Sequence, residues 1–228
     1  MRTVLSKKYI SGTFIKELKN RFLCEVSING KDTVCYVPSS CHLSNFLKLK
    51  GKEVFLTPIR TPNSRTEYAL FAVPFKHNYI ILNTSMANRA LENSLQSKRF
   101  SYLGKRKTIL KEYGVESYKA DIFLPESNTI IEIKSIISLK NSAEFPTVYS
   151  ERTLKQLKRM NSLLRQGYRV FFIIVSLHPY IKEIKLDKNT PFFVELQECI
   201  NNGLIVKAYS CRLKQDNAII DKEIFVKC

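Results

Sequence analysis

The chain has 228 residues, with 37 Lys and Arg against 20 Asp and Glu and a formal net charge of +17. That length suits one large domain or two small ones with a real core. The charge calls for a polyanionic partner, nucleic acid ahead of anionic lipid. No run of about 20 apolar residues and no charged-then-apolar leader is present, so the expectation is a cytoplasmic protein with no membrane attachment. Six cysteines (Cys24, Cys35, Cys41, Cys199, Cys211 and Cys228) lie apart with no C-x-x-C pair, and there are three histidines. They lack zinc-site spacing and read as buried or incidental thiols.

From about residue 10 to 82 the pattern is that of short strands. "FLCEVSINGKDTVCYV" sets Asn29-Gly30 between two alternating runs, a hairpin signal because both turn residues accept positive φ. "KEVFLTPIR", "EYALFAVPF" and "NYIILNT" follow at the spacing of a small closed barrel. The reading is a five-stranded, OB-like domain over residues 1–82.

After Asn83 the period changes. "NTSMANRALENSL" offers Asn83 or Ser85 as an N-cap, with Ala87, Leu91 and Leu95 at helical spacing. A hairpin, "DIFLPESNTIIEIKS", comes next, then a helix from about Glu151 to Arg165. "YRVFFIIVS" suits a strand covered on both faces. "FFVELQECINNG" reads as a helix ending at Gly203, and "LIVKAYSCRL" as a returning strand. Strands alternating with helices make residues 83–228 an α/β domain, α+β for the chain as a whole.

The hairpin raises a chemical question. With its turn centred on Glu126 and Ser127, Asp121 faces Glu132, and like charges placed directly opposite destabilise a strand pair. A divalent cation offsets that repulsion: Mg²⁺ takes carboxylate oxygens and keeps waters, leaving room for a phosphate and a nucleophilic water. Period-two alternation puts Lys134 on the face of Glu132, where an ammonium stabilises developing negative charge. The same rule places Lys119 across from Lys134. Ile122, Ile130, Ile131 and Ile133 flank these charges and imply partial burial. The competing reading is a solvated strand with alternating charge.

Asp121 followed by Glu132-x-Lys134 on a hairpin resembles the PD-(D/E)XK nuclease superfamily, and the wider pattern resembles the sugar fermentation stimulation protein A (SfsA) family. "GTFIKELKNRFLCEV", "EFPTVYSERT", "QGYRVFFIIV" and "IKLDKNTPFFVELQECINNGLIVKAYS" carry that likeness over nearly the whole chain. The resemblance implies an N-terminal OB-like barrel, a C-terminal nuclease fold of mixed sheet flanked by helices, and Mg²⁺-dependent (or Mn²⁺-dependent) cleavage of DNA or RNA. Asp121 and Glu132 would be metal ligands and Lys134 the catalytic lysine, with Phe145, Pro146, Glu151 and Arg152 matching the segment that follows. The sequence departs from the family at Ser39 to Leu43 and at Thr147. The family's glutamate in the first helix falls on Asn93. Glu92, a further candidate metal ligand, is rotated about 100° from it.

Basic side chains occur in both halves, 13 against 5 acidic in residues 1–82 and 24 against 15 in the rest. Arg152, Lys155, Lys158 and Arg159 point away from the apolar stripe of their helix, Leu154, Leu157, Met160 or Asn161, and Leu164. "SKRFSYLGKRK" interleaves Phe100 and Tyr102 with Lys98, Arg99, Lys105, Arg106 and Lys107, an arrangement that can stack on bases. Arg21 and Arg65 match basic family positions in the barrel. DNA or RNA is the expected partner and no small-molecule cofactor is called for. Two function classes remain: a Mg²⁺-dependent nuclease, and a nucleic-acid-binding regulatory protein that keeps the fold without turnover.

Overall fold

The computed structural model describes residues 5, 9–39, 42–45, 47–147 and 150–227. Part of the Ser39–Leu43 departure, the Val148-Tyr149 pair, Cys41 and Cys228 therefore lie outside the described residues. Asn29 and Gly30 take positive φ (50° and 81°). They join β2 (Leu23–Ile28) to β3 (Lys31–Tyr36) in the register Ile28↔Lys31. With β1 (Ile10–Glu17), β4 (Glu53–Pro58) and β5 (Tyr68–Phe75), these strands run in the order β3-β2-β1-β4-β5, and β3 meets β5 at Tyr36↔Ala69 to close a five-stranded barrel.

The membership of that barrel differs from the sequence reading in one strand. β6 (Asn78–Ile81) pairs with β5 only, so it lies outside the closure, and β1 supplies the fifth strand. Gly12 lets β1 close on β2, since a Cβ there would meet Val26 Cγ1 at 2.6 Å. A glycine in mid-strand also weakens the strand signal.

In the second half, β7 (Leu110–Val115), β8 (Tyr118–Leu124), β9 (Thr129–Ile136), β11 (Arg169–Ser176), β13 (Ile205–Lys214) and β14 (Asn217–Glu223) form one mixed sheet, ordered β14-β13-β11-β9-β8-β7. β9, β11 and β13 are parallel. Parallel neighbours need crossovers, and these contain α2 (Glu151–Arg165) and α3 (Pro191–Asn201), which pack on each other. Ser150 caps α2 by accepting from Thr153 N, and Thr190 caps α3 by accepting from Phe193 N. β10 (Ser142–Phe145), β12 (Glu183–Leu186) and β15 (Phe225–Lys227) make a small parallel sheet beside them.

Alternation along the central strands separates two cores. Ile131, Ile133, Phe171, Ile173 and Val175 face the barrel and α1 (Met86–Glu92), whereas Ile130, Phe172 and Ile174 face α2 and α3. The first of these clusters runs without a break from Val26 and Leu56 of the barrel to Ile131 of the sheet. Both faces of β11 are therefore covered, as its apolar run requires. Among the described residues no helix is long and apolar enough to cross a membrane.

Candidate active site

The β8–β9 ladder runs Leu124↔Thr129, Phe123↔Ile130, Ile122↔Ile131 and stops there, one pair short of Asp121 and Glu132. On the other side the β7–β8 ladder also skips Asp121, passing from Lys111↔Ile122 to Tyr113↔Ala120, with Glu112 at φ 48°. Asp121 fills the gap with its own side chain: Oδ2 accepts from Ile133 N at 2.7 Å.

This interruption changes which way β8 side chains point. Ile122 and Leu124 pack toward the barrel, yet Tyr118 and Ala120, which strict alternation would put beside them, pack with Ile130 on the α2 face. Tyr118 thus arrives at Glu132. Lys119 turns outward and pairs with Glu112 at 2.8 Å. The expectation that Lys119 lies across from Lys134 is corrected accordingly: a regular pleat would have put it there, and the pleat breaks at Asp121.

Glu132 is 2% exposed and almost fully bonded. Its Oε1 accepts from Lys134 Nζ at 2.7 Å and from Gln156 Nε2 at 3.0 Å, and its Oε2 accepts from the Tyr118 hydroxyl. Gln156 Oε1 in turn accepts from Lys134 Nζ at 2.7 Å, closing a triangle between β9 and α2. Asn88 of α1 donates to Asp121 Oδ1 at 3.4 Å. A carboxylate this buried is tolerable because it is paired and hydrogen-bonded.

Burial, and then the charge of Glu132, push the Asp121 carboxyl up to about 6, against the pull of the Ile133 N–H and Lys134. The Tyr118 hydroxyl is pushed far up by burial and by Glu132, so it stays protonated and donates. Two acids that repel in a partly dry place, with a lysine 2.7 Å from one of them, thus form a charged cluster at the end of the β8–β9 ladder.

The other sequence candidates are dispersed. Glu92 ends α1 paired with Lys111 at 2.6 Å, and Asn88, one turn earlier, is the α1 side chain that reaches Asp121. No group of three His, Cys, Asp or Glu able to hold a metal gathers among the described residues. Glu92 as a third ligand is therefore not supported by this geometry, because Lys111 draws its carboxylate to β7. Arg152 is exposed but close enough for its charge to act on Tyr118. Lys155, Lys158 and Arg159 are exposed on α2, and Arg159 reaches Ser117 O at 3.4 Å. Leu163 replaces Leu164 among the fully buried positions of α2, beside Leu157, Met160 and Asn161.

The aromatic residues of the 98–107 segment are core, not platform. Phe100 is fully buried with its ring centroid 5.3 Å from that of Tyr209, and Tyr102 shares a 2.9 Å hydroxyl contact with Tyr209. Arg106 folds back onto the carbonyls of Phe100 and Gly104, and Arg99 onto that of Asp221. In the barrel Arg21 lies 4.8 Å over the Phe22 ring, and Arg65 lines a groove with Tyr36. Cys24, Cys35, Cys199 and Cys211 are free and buried.

Three residues of the site escaped the sequence reading: Tyr118, Gln156 and Asn88. Gln156 had a usable signal, since it lies one helical turn after Arg152 and so shares its stripe. Tyr118 had none, because its place depends on the break at Asp121.

Comparison with known proteins bears on the whole chain. Residues 18–82 match the model of the SfsA N-terminal OB domain, and residues 85–217 that of the sugar fermentation stimulation protein RE domain. A sugar fermentation stimulation protein homolog of Pseudoalteromonas atlantica is 25% identical over 225 residues, covering 94% of this chain and 95% of its own. One from Caldanaerobacter subterraneus is 28% identical, covering 91% and 92%. The fold is that of Pyrococcus furiosus SfsA, solved in complex with Ca²⁺, with a TM-score of 0.82 at 20% identity over 100% of both chains. With family models spanning both its barrel and its mixed sheet, the chain belongs to the sugar fermentation stimulation protein (SfsA) family.

Proposed function

We propose that this protein hydrolyses phosphodiester bonds of nucleic acid at Asp121, Glu132 and Lys134 with the help of a divalent cation. The observation that carries the reading is the Lys134 ammonium, held at 2.7 Å by both Glu132 and Gln156 next to an Asp121 carboxyl pushed up to about 6. Perturbed carboxylates concentrate at functional sites. The strain on Asp121 comes in part from the charge of Glu132, which is the repulsion a cation would relieve, so the donor set fits Mg²⁺ or Mn²⁺. That the Pyrococcus furiosus protein of the same fold was solved in complex with Ca²⁺ is in keeping with a divalent cation here.

Asp121 and Glu132 would hold the cation, which would polarise the phosphate and lower the pKa of a bound water. Lys134, held at 2.7 Å from Glu132 Oε1 and Gln156 Oε1, would donate to a non-bridging phosphate oxygen as charge develops there. Gln156 keeps the ammonium in place through its Oε1. Tyr118 fixes the rotamer of Glu132, and the Ile133 N–H fixes that of Asp121.

Incubating the purified protein with labelled single- and double-stranded DNA and RNA, in Mg²⁺ or EDTA, tests the reading. Cleavage that needs Mg²⁺ and vanishes in Asp121→Asn is expected; no cleavage of any of the four would overturn it. A second reading, nucleic-acid binding without turnover, is favoured by one observation: the described residues gather two acids at the site and no third.

A further inference from the structure

The short helix α1 presents three faces. Ala87, Ala90 and Leu91 are buried in the core, while Asn88 reaches Asp121 and Glu92 reaches Lys111. Met86, Arg89 and Asn93 lie three and four residues apart and so share a third stripe. That stripe lines a cavity of about 610 Å³ between α1, the start of β1, the end of β4 and the β13–β14 turn. The helix therefore stands as a wall, with the candidate active site on one side and this cavity on the other.

Two guanidinium groups border the cavity, Arg89 from α1 and Arg60 from the chain just past β4. Both residues are exposed, and neither guanidinium is hydrogen-bonded or ion-paired to another described residue. Asp216, the one acid among the described lining residues, acts through its charge on the Tyr9 hydroxyl. Positive charge is thus in excess, two groups against one. The apolar side is aromatic: Tyr9 stacks on the buried Phe71 with centroids 4.6 Å apart and planes 29° apart, so one face of the Tyr9 ring is covered and the other is left to the cavity. Two amides complete the lining. Asn83 Oδ1 accepts from Ser85 N at 3.1 Å and from Ser85 Oγ at 2.7 Å, and Asn93 Nδ2 donates to Ala218 O at 2.9 Å. What remains is a donor, Asn83 Nδ2, and an acceptor, Asn93 Oδ1.

These parts fit one class of ligand. Guanidinium forks match the oxygens of a phosphate. An open aromatic face takes a flat ring, and an amide donor with an amide acceptor takes the edge of a nucleobase, which carries both functions. The volume falls within the range of small-molecule sites, about 300 to 1,000 Å³, which concentrate at domain interfaces. We infer that this cleft binds a nucleoside monophosphate, with the phosphate at Arg60 and Arg89, the base on Tyr9 and its edge at Asn83 and Asn93. The site is separate from Asp121, Glu132 and Lys134, and it stands whether or not those residues turn over a substrate.

The test is calorimetric titration of the full chain in EDTA, at fixed ionic strength, with adenosine 5′-monophosphate (AMP), ribose 5-phosphate, adenosine and inorganic phosphate. AMP is expected to bind at least about tenfold more tightly than any of the other three, because it alone engages both the arginines and the ring. Arg60→Gln with Arg89→Gln should weaken AMP at least about tenfold. Both side chains are exposed, and circular dichroism with thermal melting checks that the fold is kept. Lys134→Ala should bind AMP as wild type does, because α1 divides the two sites. Lys155→Gln with Lys158→Gln, which removes the same number of charges elsewhere, should do so too. No AMP binding to the wild-type chain, wild-type AMP affinity in the Arg60 and Arg89 variant, or an equal loss in either control overturns the assignment. Inorganic phosphate bound as tightly as AMP would leave an anion site without a base and would equally overturn it.

Discussion

Tyr118 donates its hydroxyl to Glu132 Oε2, while Lys134 holds the other oxygen of the same carboxylate at 2.7 Å. The tyrosine reaches that position because β8 loses its regular pleat at Asp121. One local irregularity thus places the first acid and also the residue that orients the second.

Truncating that tyrosine tests how much Glu132 depends on it. Tyr118→Phe leaves the Oε2 of a carboxylate only 2% exposed without its donor. Leaving a buried acceptor unsatisfied costs about 1 to 3 kcal/mol. Urea unfolding should show a loss in that range. Cleavage should fall without disappearing, since Asp121, Glu132 and Lys134 are all retained. Wild-type stability in Tyr118→Phe would mean that Glu132 finds another donor.

Asp121→Asn, Glu132→Gln and Lys134→Ala should each abolish cleavage with far-ultraviolet dichroism unchanged. Asp121→Asn adds a pH signature. Its carboxyl is raised from 3.8 to about 6 in the folded protein, so folding favours the protonated form. That contribution is fully present below pH 3.8 and is lost as pH rises through about 6. Above that the ionised acid weighs against the fold. In EDTA at pH 7 to 8 the Asn variant should therefore be more stable than wild type by about 1 kcal/mol, under a ceiling of about 3 kcal/mol set by the shift. The difference should shrink toward pH 5. Equal stabilities from pH 5 to 8 would contradict the repulsion between Asp121 and Glu132.

The choice of metal follows from the donors. All-oxygen ligation should let Mg²⁺ or Mn²⁺ support turnover, with Ca²⁺ binding but supporting poor chemistry because its looser coordination positions water less well. Asp121 must lose its proton to bind, so apparent metal affinity should weaken about tenfold per pH unit below about 6. Calorimetric titration at pH 5, 6 and 7.5 measures this. Activity that requires Zn²⁺, or that persists in EDTA, would refute the assignment.

The hairpin register was legible because Asn128, at φ 47°, and the turn before it set which residues face each other, and the apolar period of the two strands agrees with that register. α2 was legible from its apolar stripe. What the sequence hid depends on distant contacts. Lys119 and Tyr118 exchange places through a break that no residue type marks. Phe100 and Tyr102 read as a stacking surface because they sit among basic residues, yet their rings close the core against Tyr209. The exposed aromatic pair is in the barrel, at Phe22 and Tyr36, which lie apart in sequence and meet only through the pairing Leu23↔Tyr36. The change of period near residue 82 was also visible, but not the apolar cluster that crosses it from Leu56 to Ile131. Cutting the chain there would expose that surface.

The basic face of α2 yields a prediction that holds even for a catalytically silent protein. Lys155, Lys158 and Arg159 are exposed beside the site, and the hydrogen bond of Arg159 to Ser117 O at 3.4 Å leaves the rest of its guanidinium free. Each phosphate neutralised by such a group releases counterions, so affinity should fall with salt at a log-log slope of about 0.7 to 0.9 per neutralised phosphate. A footprint spanning barrel and sheet suggests roughly five to eight such phosphates. Replacing all three residues with Gln in the full chain should lower the slope by about one for every phosphate that is no longer neutralised. Stability should change by less than about 0.5 kcal/mol, as expected for surface substitutions. Preference among base sequences should not move, because a charge on a phosphate reads no base. Anisotropy titrations at four salt concentrations measure the slope directly. A triple variant with wild-type affinity and slope would show that this face is merely solvated and would shift the phosphate-binding role to Arg21 and Arg65 of the barrel.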